Sequence, residues 1–413
     1  MLKTETGPFM TQHTQHTQHD NDIVLAAPVR TPIGKFGGVF SSLSAADLGT
    51  AAAAGALGRA GLDPSHVDQV IFGHGRQAGG GPNTARQIGF RAGVPVDRPA
   101  FTVNQACASG LQAVLSAARA ILLGEAKVVL AGGAESMSNT PYFLPRARWG
   151  YRMGNAEIVD GMYQDGFNDP LSKLVMGETA EELAAETGID RAASDAYALE
   201  SQLRCERARG EGRFASEIVP VTVTGKKGET IVTTDEHPRD GMTLEAMAKL
   251  PAVFRKGGVV SAGNASGITD GAAAILVASR AAAHELGLPV VARLIGWEVV
   301  GVDPRIMGIG PVPAVHRLFA KTGLDKSAID EVELNEAFAA QVLACNQELG
   351  FDPAILNPDG GAIALGHPIG ATGTRILVTL LHGMEKRGGR RGLATLCVSG
   401  GMGIAALVER EAA

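Results

Sequence analysis

NQACASGLQAVLSAARAILLGEAKVVLAGG, residues 104–133, is the stretch that decides the fold class. Past Cys107, the apolar residues Leu111, Val114, Leu115, Ala118, Ile121 and Leu122 recur at helical spacing. Lys127–Ala131 is then a short run of buried-strand character, closed by Gly132-Gly133. Upstream, Ile23–Ala27 reads as a strand ending at Pro28, Leu43–Gly58 as a helix and Gln69–Gly73 as a second strand. Strand, helix and strand repeating at this interval predict an α/β fold.

From about Ser138 to Ser261 the character changes. Aromatic, charged and turn residues become frequent, as at Trp149, Tyr151, Tyr163 and Asp165–Asp169. Gly177–Thr187 and Arg191–Arg209 have the pattern of amphipathic surface helices. Val219–Val223 and Thr230–Thr233 flank Gly225-Lys-Lys-Gly228 as a hairpin would. This segment reads as an insertion covering a site. Strand signals return at Ala272–Ala278, Val290–Ile295, Asp330–Leu334 and Ala394–Val398. The second half thus repeats the first in outline: an apolar strand, a Cys at a Gly-rich turn, an apolar segment.

Composition narrows the class of protein. The chain has 413 residues, 45% of them hydrophobic, and a net charge of −6, which gives no support for a nucleic-acid partner. Its four cysteines show no CxxC pairing, so neither a disulfide framework nor structural zinc is expected, and a reducing, cytoplasmic setting fits best. No apolar run reaches the roughly 20 residues of a membrane span. Residues 1–21 carry Thr-Gln-His three times and read as a disordered leader, with His13, His16 and His19 as a weak metal-binding pattern.

The candidates for chemistry are few. Cys107 would lie at a helix N-terminus if Ala108 onward is helical, where unpaired N–H groups and the macrodipole favour a thiolate. His367, in Gly366-His-Pro-Ile-Gly370, sits in a glycine-bracketed loop from which an imidazole could act as a base or an oxyanion donor. Cys397 closes an apolar strand and opens Ser399-Gly400-Gly401, a turn whose N–H groups could hold an oxyanion. Asn335 follows a strand and could hold a water, with Phe338 walling a pocket. Cys345 reads as core and Cys205 as a helix-surface or interface residue. Gly73-His-Gly75-Arg-Gln-Ala78, with Asp97 downstream, matches a dinucleotide-binding pattern, but Gly79-Gly-Gly-Pro82 does not open a helix where that motif requires one.

Taken together, the chain from Asp22 onward resembles the thiolase family. The matching stretches are Pro28-Val-Arg-Thr-Pro-Ile-Gly-Lys35, Cys107-Ala-Ser-Gly-Leu-Gln112, Gly132-Gly-Ala-Glu-Ser-Met137, Met176-Gly-Glu-Thr-Ala-Glu181, Ala262-Gly-Asn-Ala-Ser-Gly267, Asn335-Glu-Ala-Phe-Ala-Ala-Gln341, Gly366-His-Pro-Ile-Gly-Ala-Thr-Gly373 and Cys397-Val-Ser-Gly-Gly-Met-Gly403. The resemblance implies a five-layer αβαβα core of two similar halves, 22–138 plus 266–288 and 289–413, with 139–265 as an inserted lid that receives coenzyme A. It implies CoA-dependent thiolysis of 3-ketoacyl-CoA, or condensation of two acetyl-CoA to acetoacetyl-CoA, by a homodimer or homotetramer with no metal or redox cofactor. By the same carry-over Cys107 accepts the acyl group, His367 activates it, and Cys397 moves the proton at the substrate α-carbon. One oxyanion site is implied at His367 with a water on Asn335, the other at the N–H groups of Cys107 and Ser399. Ser266 and Lys226 are implied near CoA, and Met176, Met307 and Phe338 near the acyl group.

Three departures from the family pattern stand out. Val175 occupies a position where many acetoacetyl-CoA thiolases carry His, Ser399 one where Gly is commoner, and Asn104-Gln-Ala106 replaces the commoner Asn, basic, bulky-apolar run. Asp165-Gly-Phe-Asn-Asp-Pro170 leans toward a short acyl chain, while Val175 leaves a broad-chain degradative 3-ketoacyl-CoA thiolase as the alternative.

Overall fold

The computed structural model describes residues 22–226 and 228–411. The Thr-Gln-His leader and its histidines lie outside the described residues.

A ten-stranded mixed sheet runs through the molecule. From one edge its order is Glu331–Leu334, Arg391–Val398, Met402–Arg410, Val290–Gly301, Ile23–Arg30, Thr269–Ser279, Val128–Ser136, Gln69–Gly73 and Ala100–Val103, with the two-residue strand Gly34–Lys35 pairing beside Thr269–Ser279. The halves meet where Ile23–Arg30 pairs antiparallel with Val290–Gly301. On either side the order repeats. Gln69–Gly73 is parallel to Val128–Ser136, which is antiparallel to Thr269–Ser279. Likewise Glu331–Leu334 is parallel to Arg391–Val398, which is antiparallel to Met402–Arg410. Even the edge strand Ala100–Val103 has a vestigial counterpart, a single parallel bridge from Val332 to Leu356. The duplication suspected from the sequence is therefore present in the topology.

The period-two alternation of these strands builds the layers. Ile23, Leu25, Val129, Ala131, Ile275 and Val277 from one half, and Ala394, Leu396, Ile404 and Ala406 from the other, point at the same two helices, Ser109–Leu122 and Ile369–Arg387. The opposite face of the first half (Val24, Ala26, Leu130, Leu276) packs on Ala45–Ala60 and Thr84–Arg91. That of the second (Leu393, Ala405, Leu407) packs on Pro311–Thr322 and Ala339–Leu349. Helix, sheet, paired central helices, sheet, helix make the five αβαβα layers.

The two central helices meet through small residues. A Cβ at Gly110 would lie 2.8 Å from the Thr374 amide nitrogen, and one at Gly373 would lie 2.3 Å from that of Leu111. Such backbone approach tolerates no side chain.

Local readings differ in instructive ways. The first strand continues through Pro28 to Arg30, because Ala27 takes a positive φ of 50° and the register slips between Ala26 and Val29. A bulge absorbs the residue that has no amide to give. The hairpin pairs Val221–Gly225 with Gly228–Val232. The helices of the inserted segment, Met176–Thr187 and Arg191–Gly210, bury more than a surface reading allows, and Cys205 is buried against Ile33, Phe214, Ala364 and Leu365. Its charged sequence neighbours Arg204 and Arg207 reach round to the carbonyls of Leu356 and Pro358, so flanking charge misreported its environment. Among the described residues no helix is long and apolar enough to cross a membrane.

Candidate active site

Cys107 lies in the 3-10 turn Ala106–Ala108, immediately before the helix Ser109–Leu122. The turn is tightly held. Ala106 adopts φ 45°, a left-handed conformation uncommon outside glycine. Its N–H donates to Asn104 Oδ1 at 3.0 Å, its carbonyl accepts from Ser109 Oγ at 2.6 Å, and Asn104 Nδ2 donates to the Gly75 carbonyl at 3.1 Å. The small Ala at 106 suits this backbone better than a bulky residue would.

His367 occupies the matching place in the other half, immediately before the central helix Ile369–Arg387. Thr372 Oγ1 donates to the Pro368 carbonyl at 3.0 Å and so accepts from His367 Nδ1 at 2.6 Å. This network assigns the proton to Nδ1 and leaves the Nε2 lone pair free. Nε2 has no partner among the described residues. Burial, reinforced by the charges of Arg375 and Arg76, pushes the imidazole down to about 3, so it is a neutral base at ordinary pH.

Cys397 is buried in the strand Arg391–Val398, and the following turn carries Ser399, then Gly400 and Gly401 at φ 85° and 82°. The left-handed residues are the two glycines, so Ser399 costs the turn nothing. Cys107, His367, Cys397 and Ser399 line one cavity of ≈ 190 Å³. Its remaining wall is mainly apolar: Met137, Tyr163, Phe167, Val175, Met176, Phe254, Ala265, Met307, Phe338 and Ile369, together with Ser266 and Arg76. Phe254 and Phe338 meet edge to face at 6.5 Å.

This apolar wall reverses one expectation. The Cys107 thiol is pushed up, chiefly by burial, with the Arg76 charge and the Ser399 backbone N–H pulling the other way. Proximity to a helix start does not outweigh desolvation here, and the thiol needs a base. Burial lifts Cys397 further, and Cys107 adds to the effect; two neighbouring thiols resist ionising together.

Asn335 is placed differently from the residues in the cavity wall. It follows the strand Glu331–Leu334, its N–H donates to the Thr395 carbonyl at 3.0 Å, and both polar atoms of its buried amide have no partner among the described residues. Lys226 lies in the exposed hairpin turn, outside the cavity wall. Ser266, Met176, Met307 and Phe338 are all in the wall.

The sequence reading gave no role to Glu135 or Arg76. Glu135 accepts from the backbone N–H groups of Gly75, Arg76 and Gly370 at 3.1, 3.1 and 2.8 Å and meets His74 Nε2 at 3.1 Å. The glycine run resembling a dinucleotide fingerprint is thus a cradle for an internal carboxylate, and it ties the Gly75 turn to the His367 loop. A buried acid in Gly132-Gly-Ala-Glu135, at the end of an otherwise apolar strand, was the available signal.

The chain matches the thiolase N-terminal domain over residues 23–281 and the thiolase C-terminal domain over 288–410. It is 50% identical to the acetyl-CoA acetyltransferase of Pseudomonas aeruginosa, over 94% of this chain and 100% of that one. Among solved structures, the acetyl-CoA acetyltransferase of Bacillus anthracis superposes with a TM-score of 0.93 at 43% identity, covering 95% of this chain and 99% of that one. Human mitochondrial 3-ketoacyl-CoA thiolase in complex with CoA gives 0.91 at 41% identity, covering 95% and 99%. With both domains matched in order and a relative of half-identical sequence aligned end to end, the chain belongs to the thiolase family.

Proposed function

We propose that this protein is an acetyl-CoA acetyltransferase, catalysing reversible CoA-dependent thiolysis of 3-ketoacyl-CoA and, in reverse, condensation of two acetyl-CoA. The observation that carries this reading is the convergence of Cys107, His367 and Cys397 from both halves on one apolar cavity. The names of its half-identical relatives support the acetyl specificity.

In the thiolysis direction His367 Nε2 takes the Cys107 proton, and the sulfur attacks the 3-keto carbon. The imidazolium N–H then donates to the resulting oxyanion, together with the group held at Asn335. The bond between C2 and C3 breaks, and the acetyl-CoA enolate leaves with the proton of Cys397. Its thioester oxygen is stabilised meanwhile by the Cys107 and Ser399 N–H groups. Cys397 recovers a proton from the incoming CoA thiol, whose sulfur attacks acyl-Cys107 and releases acyl-CoA, while His367 returns its proton to the departing Cys107 sulfur. Protons and electrons balance between these three side chains and the two thioesters, so no redox partner or metal enters. Splitting one displacement into two acyl transfers lowers each barrier, and a positioned acid or base is worth roughly 10²–10⁴-fold.

The inserted segment supplies Tyr163, Phe167, Val175, Met176 and Phe254 to the wall, which supports its reading as a lid over bound CoA, with Ser266 beside the pantetheine. Met176, Met307 and Phe338 then bound the acyl group, and Lys226 would meet CoA only at its outer end. A homodimer or homotetramer working in the cytoplasm completes the proposal.

Thiolysis of acetoacetyl-CoA beside 3-ketooctanoyl-CoA tests the reading. Turnover confined to acetoacetyl-CoA is the expected result; equal or faster turnover of the eight-carbon substrate would make this a broad-chain degradative enzyme. Cys107→Ser is expected to lose the acetyl-enzyme seen by mass spectrometry and at least ~10³-fold in turnover.

A further inference from the structure

We propose that Arg76 is the fixed cation of the cavity: a positioning residue that stabilises the Cys107 thiolate and holds His367 neutral through its field.

Arg76 follows the strand Gln69–Gly73 and is only 7% exposed, yet its guanidinium forms no hydrogen bond or ion pair among the described residues, and its Nε is buried without a partner. A buried guanidinium is normally bidentate with a carboxylate. The candidate counterion, Glu135, is already taken up by three backbone N–H groups and His74. The Arg76 side chain instead lines the same cavity as Cys107 and His367.

Its seat is defined. The guanidinium carbon stands 5.9 Å from the Phe167 ring centre, and a Cβ on Gly166 would fall 2.1 Å from one of its nitrogens. Phe167 and Cys107 pack on the same small cluster of Met137, Met162 and Ile369. The cation therefore borders the same mainly apolar cavity as the thiol, where charge is poorly screened.

The groups facing Cys107 come from several elements. Arg76 and Glu135 act from the ends of two strands, His367 from the loop before the central helix, Cys397 from its strand, and Tyr163 from the inserted segment. Of these, Arg76 is the cation, and it lowers the thiol while Glu135 raises it. On His367, Arg76 acts with Arg375 to disfavour imidazolium. In the resting enzyme the combined effect keeps His367 a neutral base able to take the Cys107 proton, and it favours the negative charge that then develops as thiolate or oxyanion.

This inference rests on Cys107 being the nucleophile, and its test reads the thiol directly, so its failure is separable from a failure of acetoacetyl-CoA turnover. The test is the pH dependence of Cys107 alkylation by iodoacetamide in the full-length protein, followed at the Cys107 peptide by mass spectrometry. Arg76→Met is expected to raise the midpoint by about one pH unit, a tenfold loss of thiolate at fixed pH, and to lower kcat with little change in KM. Arg76→Lys, which keeps the charge, should stay within a few tenths of a unit of wild type. Gly166→Ala, which crowds the guanidinium from its seat, serves as an independent variant if Arg76→Met fails to fold, and should shift the midpoint the same way by a smaller amount. Coincident midpoints in wild type and either charge-removing or charge-displacing variant would overturn the proposal, as would a Lys variant that behaves like Met.

Discussion

The turn at Ala106–Ala108 and the loop at Gly366–Pro368 stand at equivalent points of a repeated topology, each feeding one of the paired central helices. One holds a thiol and the other an imidazole. The Cys turn is braced by local hydrogen bonds from Asn104 and Ser109 around a left-handed alanine. The His loop is braced through Thr372, one turn into its own helix, and through Glu135 from the opposite half by way of the Gly370 N–H. Because the two helices pack against each other in the middle layer, a duplicated architecture delivers two different reagents to one cavity. Equivalent backbone positions carry side chains of complementary acid–base character into that cavity.

The sharpest way to break this comparison is at the strand ends. Cys397 lies near the end of its half's counterpart of the strand Val128–Ser136, where the first half offers no thiol. Cys397→Ala is expected to leave acetylation of Cys107 by acetyl-CoA intact while condensation falls by 10²–10⁴-fold, the usual worth of a positioned proton carrier. Mass spectrometry of the acetyl-enzyme beside a condensation assay separates the two steps. Normal condensation would remove the proton-carrying role from Cys397.

A second test uses the environments. His367 titrates at about 3 when folded against the usual value near 6.5, so between those pH values the unfolded chain binds a proton that the folded one does not. Stability contributed by the neutral histidine is complete above about 6.5 and is lost as pH falls, at about 1.4 kcal/mol per unit while both conditions hold. Denaturant unfolding of His367→Asn should therefore show a shallower acid loss than wild type through that window. Parallel curves would mean that the imidazole is solvated.

The smallest expected effect probes the helix pair itself. Gly110→Ala places a methyl 2.8 Å from the Thr374 amide nitrogen and 3.0 Å from the Gly370 carbonyl. A cost of about 1–3 kcal/mol is expected from overpacking, read as a lowered denaturant midpoint. Reduced turnover should accompany it as the Cys and His turns are pried apart.

Much of this was legible beforehand. The helix after Cys107 and the strand Gln69–Gly73 were readable because periodicity records which face is buried, and burial dominates both elements. Cys107, His367 and Cys397 stood out as unusual residues beside glycines, and all three line the cavity. The strand Met402–Arg410 was missed because Gly401 and Gly403 interrupt its apolar run, although the glycines serve the tight return from Arg391–Val398. Cys205 was misread from its charged neighbours. The acidity of Cys107 was misjudged because a helix start is local, whereas desolvation comes from residues far away in sequence.

The sequence by itself determined the α/β class, the outline of a repeat and the candidate reactive side chains, because side-chain periodicity and residue chemistry are local properties. Tertiary structure decided which of these residues meet and in what charge state. Glu135 became a brace and Arg76 an unpaired cation only through contacts spanning tens to hundreds of residues. The ionisation of a buried group depends on everything packed around it, and no run of neighbours along the chain contains that information.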